Sequence, residues 1–147
     1  KLNLYNRHRE GCKPCTRINF TSAKLYDSFF SIYFNEKSLS SPDKLLEIIP
    51  DKLKRYFFLG LIDGDGCIWE SKNWLNMKIE LHGNWLNTLQ LLSNKLKEFY
   101  DLDCKVFISK RQTSNLIINT RKDLKILKEY IKNVDFLERK WSKLDTL

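Results

Sequence analysis

Phe58-Leu59-Gly60-Leu61-Ile62-Asp63-Gly64-Asp65-Gly66 is the stretch on which the reading of this chain turns. Gly60 and Gly64 stand four residues apart, so a helix through them has one face without side chains. Two such faces can approach backbone to backbone, which marks a helix–helix interface. Upstream, Pro50 suits the first turn of a helix, where its missing N–H costs nothing, and Asp51 complements the positive helix end. The helix is expected to run to about Asp63 and stop at Gly64-Asp65-Gly66. Asp63 and Asp65 then fall where the helix dipole is negative and carboxylates are poorly placed. Something must compensate, and a divalent cation is the natural candidate. A carboxylate with freed backbone carbonyls is the hard-oxygen set that Mg²⁺ prefers. An Asp-Gly turn feeding a hairpin accounts for the same residues without a metal.

Downstream, Cys67–Asn73 and Leu75–His82 read as a hairpin. Leu75, Met77, Ile79 and Leu81 alternate with Asn76, Lys78, Glu80 and His82, giving one apolar and one polar face. Leu86, Leu89, Leu92 and Leu96 predict an amphipathic helix over Asn84–Tyr100. Lys105–Arg111 and Asn115–Arg121 form a second hairpin around Gln112-Thr113-Ser114. Helical spacing returns at Leu124, Leu127 and Ile131, and a last helix is expected over Phe136–Leu144. The order helix, two strands, helix, two strands, helices is an α+β layout with helices on one sheet face.

Before the motif, residues 15–22 alternate as a strand, and Leu25, Phe29, Ile32 and Tyr33 predict a helix from Lys24 to Asn35. Ser38, Ser40, Ser41, Pro42 and Pro50 mark a linker with room for one short helix. Sliding the chain along itself until Lys24 meets Lys122 lays Ile18 and Phe20 on Leu116 and Ile118. Tyr26 and Phe29 then fall on Leu124 and Leu127. Strand, lysine and amphipathic helix therefore occur twice. The expected organisation is residues 1–35 as the back part of a first unit, 36–50 as linker and 51–147 as a complete second unit. The opening helix of the first unit is then expected upstream of Lys1.

Composition narrows the function classes. The 147 residues are 42% hydrophobic and 13% aromatic, enough for a core and too apolar for a disordered tail. Lys and Arg number 26 against 18 Asp and Glu, a net charge of +8. That excess favours a polyanionic partner, because basic side chains displace counterions from phosphates. No apolar run approaches the roughly 20 residues a bilayer span needs, so no membrane partner is expected. Cys12-Lys13-Pro14-Cys15 is a lone CxxC, while Cys67, Cys104, His8 and His82 add no metal-ligand spacing. Free thiols in a reducing compartment are the expectation. No Ser/His/Asp spacing or cysteine motif points to a covalent nucleophile. The 19 lysines outnumber seven arginines. Lys, Asn and Ile are spelled by A/T-rich codons, which fits an organellar (mitochondrial or chloroplast) or phage genome, or a prokaryotic cytoplasm.

Taken whole, the nine-residue segment resembles the signature of the LAGLIDADG homing endonucleases. Gly60, Leu61, Ile62, Asp63, Asp65 and Gly66 are identical to it, while Phe58, Leu59 and Gly64 replace Leu, Ala and Ala. The resemblance implies an antiparallel four-stranded saddle sheet with helices on one face, αββαββα in each half. Two motif helices would pack side by side through Gly60 and Gly64, with a second half supplied from upstream or by a dimer partner. It implies site-specific, divalent-metal-dependent hydrolysis of double-stranded DNA by an intron-encoded nuclease using Mg²⁺ or another divalent cation. Asp65, helped by the Gly64 carbonyl, would hold the metal, and Asp63 would cap and orient the turn. Lys122, and Lys24 in the partial half, would lie near the scissile phosphate. His82, or Gly83 beside it, would hold a metal-bound water.

DNA would be read by the polar sheet face. Trp69, Ser71, Asn73, Asn76, Lys78, Glu80 and His82 come from the first hairpin. Lys105, Ser109, Arg111, Asn115 and Asn119 follow from the second, with Arg17 and Asn19 from the partial half. Such side chains suit base edges in the major groove, which admits a β-ribbon. Glu80 would repel phosphates unless paired. An RNA-binding maturase or ribonucleoprotein component that keeps the scaffold without cleavage is the alternative, because a Lys- and Asn-rich sheet also suits folded RNA. A transcription-regulator-like DNA binder would normally bring an added helix-turn-helix, and no segment reads as one.

Overall fold

The structure, a computed structural model, describes residues 2–7, 15–20, 22–24, 27, 43–71, 74–132 and 138–147, the first two stretches as backbone only. The chain divides into two units, Lys1–Asn35 and Glu36–Leu147. In the first, β1 (Leu2–Arg7) pairs antiparallel with β2 (Cys15–Phe20), Leu2 opposite Phe20 and Arg7 opposite Cys15. β2 is the strand its alternation predicts. β1 carries no independent signal and takes its conformation from that pairing. Most of the helix expected over Lys24–Asn35, together with His8 and Cys12, lies outside the described residues.

The second unit runs α1 (Asp43–Ile48), α2 (Asp51–Asp65), β3 (Gly66–Ser71), β4 (Trp74–His82) and a 3₁₀ turn at Gly83–Trp85. It continues through α3 (Leu86–Tyr100), β5 (Lys105–Ile108), β6 (Thr113–Ile118), α4 (Arg121–Tyr130), α5 (Glu138–Trp141) and a 3₁₀ turn at Ser142–Thr146. The four strands form one antiparallel sheet in the order β3-β4-β6-β5. Register places Ile68, Met77, Ile79, Leu116 and Ile118 on one face, all buried. Phe58 and Ile62 of α2, Leu89, Leu92 and Leu96 of α3, and Leu124 and Leu127 of α4 complete that core. Each such side chain contributes about 1.5–3 kcal/mol on burial. No helix among the described residues is long and apolar enough to cross a membrane.

Two glycines are required by close approach. A Cβ on Gly66 would stand 2.6 Å from the Ile62 backbone, because β3 folds straight back off the last turn of α2. A Cβ on Gly83 would stand 2.7 Å from the Gln112 carbonyl oxygen.

Several boundaries differ from the sequence expectation, among them the strand expected to reach Arg121, which ends at Ile118 before α4 begins. α2 runs to Asp65 rather than Asp63, and Pro50 precedes it as the N-cap residue. The second hairpin reverses at Lys110-Arg111: Gln112 N–H donates to Ser109 O at 3.0 Å, Ser109 N–H donates to Thr113 O at 2.9 Å, and Gln112 has φ 59°. Thr113 and Ser114 therefore belong to β6, not to the turn. The last helix ends at Trp141 rather than Leu144 and tightens to 3₁₀ beyond it, while Phe136 and Leu137 lie outside the described residues.

Candidate active site and nucleic-acid interface

The end of α2 is held from behind by the C-terminal segment. Lys140 Nζ donates to the carbonyl oxygens of Ile62, Asp63 and Gly66, each at 2.7 Å. An ammonium has three donors, so this set satisfies it, and Lys140 is only 9% exposed. Its charge also offsets the negative end of the helix. Trp141 Nε1 donates to Asp63 Oδ1 at 2.7 Å, and Lys143 Nζ donates to the Ile68 carbonyl on the sheet edge at 2.7 Å. The compensating charge behind Asp63 is thus a lysine, and Asp63, in the last turn of α2, anchors the C-terminal segment. Reading Lys140 as part of a solvated charge run hides this. The signal that exposes it is phase: Lys140 and Leu144 stand four apart beside Trp141, on the stripe that is buried.

Asp65, the last residue of α2, is exposed, and among the described residues no hydrogen bond or ion pair holds its carboxylate. The Gly64 carbonyl is not among those Lys140 binds. No cluster of three or more His, Cys, Asp or Glu that could cage a metal occurs among the described residues. A lone exposed carboxylate suits Mg²⁺, which keeps several waters and is bound through one or two carboxylates plus substrate phosphates. Gly60 and Gly64 are exposed too, and a Cβ built on either meets nothing within 4 Å. Leu53 and Tyr56 extend the same open face toward the start of α2.

Other expected site residues are engaged differently. Lys122 Nζ lies 3.0 Å from Asp101 Oδ2, with its side chain 67% exposed. Its partner ends α3 in the left-handed region (φ 52°) and also receives Lys97 at 2.6 Å. Hydrogen bonds from Lys97 and then Lys122 hold the Asp101 carboxyl down to about 2. Lys122 therefore pairs with the residue that ends α3, its side chain largely exposed, while the cation that holds the end of the motif helix is Lys140. Lys24 is exposed at a helical position of the first unit. His82 is exposed, and its Nδ1 accepts from Asn84 N–H at 3.3 Å, capping the 3₁₀ turn. Gly83 accepts from Ser114 Oγ at 2.7 Å, a packing role. Cys67 and Cys104 are free thiols, and burial pushes Cys104 up to about 12.

The sheet face opposite the core carries the nominated readers, several of which are tied together. Lys78 pairs with Glu80, and Thr113 Oγ1 donates to Glu80 Oε1 at 2.9 Å. Those bonds, Lys78 first, lower the Glu80 carboxyl below its ordinary range. Asn115 Nδ2 donates to Thr113 O at 2.9 Å, and Ser109 Oγ lies 2.7 Å from Thr113 Oγ1. Asn115 is 3% exposed, so it braces the sheet rather than reaching outward. Trp69 is half-buried opposite Asn76, whose Nδ2 donates to Trp74 O at 3.0 Å. Ser71, Lys105, Arg111 and Asn119 are exposed. Asn73 and the side chains of Arg17 and Asn19 lie outside the described residues. Trp74 and Phe107, not expected here as large exposed surfaces, are 63% and 42% exposed.

No protein-family model and no curated protein matches the chain. Among solved structures it matches the homing endonuclease I-WcaI bound to its DNA recognition sequence, with a TM-score of 0.57 at 18% identity. That match covers 98% of this chain and 63% of the other. The chain has the LAGLIDADG homing-endonuclease fold. The homing endonuclease I-CvuI, in complex with a target DNA in the presence of Mg and with that DNA not cleaved, also matches, at 15% identity and TM-score 0.51. There 65% of this chain and 63% of the other are covered. The LAGLIDADG meganuclease I-AabMI bound to uncleaved DNA matches 63% of this chain at 25% identity and TM-score 0.49, over 34% of its own length. The chain thus spans 34% of the I-AabMI chain and 63% of the I-CvuI and I-WcaI chains.

Proposed function

We propose that this chain forms part of a site-specific, divalent-metal-dependent endonuclease that hydrolyses phosphodiester bonds in double-stranded DNA. The observation that carries the proposal is the Asp65 carboxylate, unpaired among the described residues at the end of a helix whose glycine face is open. Asp65, with the Gly64 carbonyl, would hold Mg²⁺ or another divalent cation. Such a cation lowers the pKa of bound water and neutralises charge on the phosphate. Lys140 keeps the helix end, and with it Asp65, in one place, and adds fixed positive charge behind it.

The open face of α2 packs on a second motif helix, from elsewhere in the same polypeptide or from another subunit. DNA lies on the sheet face opposite the core, with Lys105 and Arg111 toward its phosphates. The net charge of +8 supports that partner. The many Lys, Asn and Ile residues, which A/T-rich codons spell, support an organellar, phage or prokaryotic origin. Incubation with the locus lacking the intervening sequence and Mg²⁺ is expected to cut it, and Asp65→Asn is expected to abolish cutting while binding persists. An uncut locus together with tight, salt-sensitive binding to the intron RNA would overturn the nuclease in favour of a maturase.

A further inference from the structure

On the open sheet face, the central groups best suited to hydrogen-bond base edges are occupied by one another. Lys78 pairs with Glu80, Glu80 accepts from Thr113, and Asn115 donates to Thr113. Beside this network, opposite Asn115 on the edge strand β5, stands Phe107. Strand alternation turns its neighbour Val106 toward Leu116 and the core, and leaves Phe107 42% exposed on the other face. Lys105 lies two residues away on the same face, and Lys110 and Arg111 are exposed in the adjoining turn. The patch is therefore apolar at its centre and cationic around it. On the base edges of a major groove, the apolar feature is the thymine 5-methyl group, and phenylalanine is one of the side chains that meets it. Cations at the border suit the flanking phosphates, which fix register without reading sequence.

We propose that Phe107 is a specificity-determining residue that reads the 5-methyl group of a thymine in the major groove of the bound DNA. The inference rests on the DNA-directed function proposed above and assigns one base identity to one side chain. Duplexes retained by the full 147-residue chain from a random-sequence pool supply a consensus for the test. Each thymine of that consensus is then replaced by deoxyuridine, which removes the methyl group alone. At one position the wild-type chain should bind about fourfold more weakly, the weight of one buried methyl group. Phe107→Ala should bind the thymine and uracil duplexes equally, while Phe107→Leu should keep part of the difference. Circular dichroism of both variants confirms that the sheet is intact. A consensus whose binding ignores every uracil replacement, or a Phe107→Ala chain as sensitive as wild type, overturns the assignment and leaves DNA reading standing. Absence of any duplex consensus overturns DNA reading itself. Preference for single-stranded pools assigns the ring to base stacking and also overturns the thymine contact.

Discussion

Lys140 donates its ammonium to the Ile62 carbonyl at 2.7 Å, across 78 residues of sequence. With the Asp63 and Gly66 carbonyls as its other acceptors, it fastens the C-terminal segment to the end of the motif helix and the start of β3. Three carbonyls depend on one side chain. Lys140→Met is expected to cost about 3 kcal/mol or more, since it strands buried acceptors of a charged donor. Lys140→Arg should not restore the loss, because a planar guanidinium fork cannot converge on three oxygens as an ammonium does. Urea denaturation monitored by tryptophan fluorescence measures both.

The Trp141–Asp63 bond is a separable part of the same fastening. Trp141→Phe keeps most of the buried ring and removes the N–H donor, at an expected cost of about 1.5–3 kcal/mol. In a double-mutant cycle with Asp63→Ala the two losses should be less than additive. Strict additivity would show that the bond contributes nothing.

Gly60 is expected to separate folding from assembly. Nothing stands within 4 Å of a Cβ placed there. Gly60→Ala should therefore raise the melting stability of the chain by up to about 1 kcal/mol, the helix-propensity difference. The same methyl group should weaken pairing of α2 with a second glycine-faced helix. A variant both stabler and fully active as a nuclease would contradict that pairing.

Gln112 holds φ 59° in the β5–β6 turn. A side chain there costs roughly 1–2 kcal/mol that glycine avoids, less the greater chain entropy glycine loses on folding. Gln112→Gly should be stabilising by about 0.5 kcal/mol on balance, and Gln112→Val clearly destabilising. Equal stability of the two variants would show that the turn relaxes to another conformation.

Asp101 predicts one pH dependence. Its carboxyl is lowered to about 2 by Lys97 and Lys122, so the folded state holds the proton less tightly than the unfolded chain does. The stability this confers is complete above about pH 4 and fades as pH falls through about 2. Carboxyl NMR should show the low midpoint, and Lys97→Ala should move it up toward the ordinary range.

Local periodicity made most of the second unit legible. Leu75, Met77, Ile79 and Leu81 declared a half-buried strand because alternation needs only the pleat, and Leu89, Leu92 and Leu96 declared a helix because a 3.6-residue turn aligns them. The nine-residue motif marked the helix that ends at Asp65. Strand order, by contrast, is a non-local property: β4 lies beside β6 through pairings such as Met77 with Ile118, which no neighbour in sequence encodes. The cation at the motif helix was equally hidden. Lys140 reaches the helix end only because the chain folds back there, and the pairing of Lys122 with Asp101 likewise joins segments that no local pattern links. Asn115 sits on the polar parity of its strand, but its cross-strand network buries it. Secondary structure and the place of Asp65 at the helix end are thus written in short-range spacing, whereas charge pairing and exposure depend on which distant segments meet, and tertiary packing alone decides that.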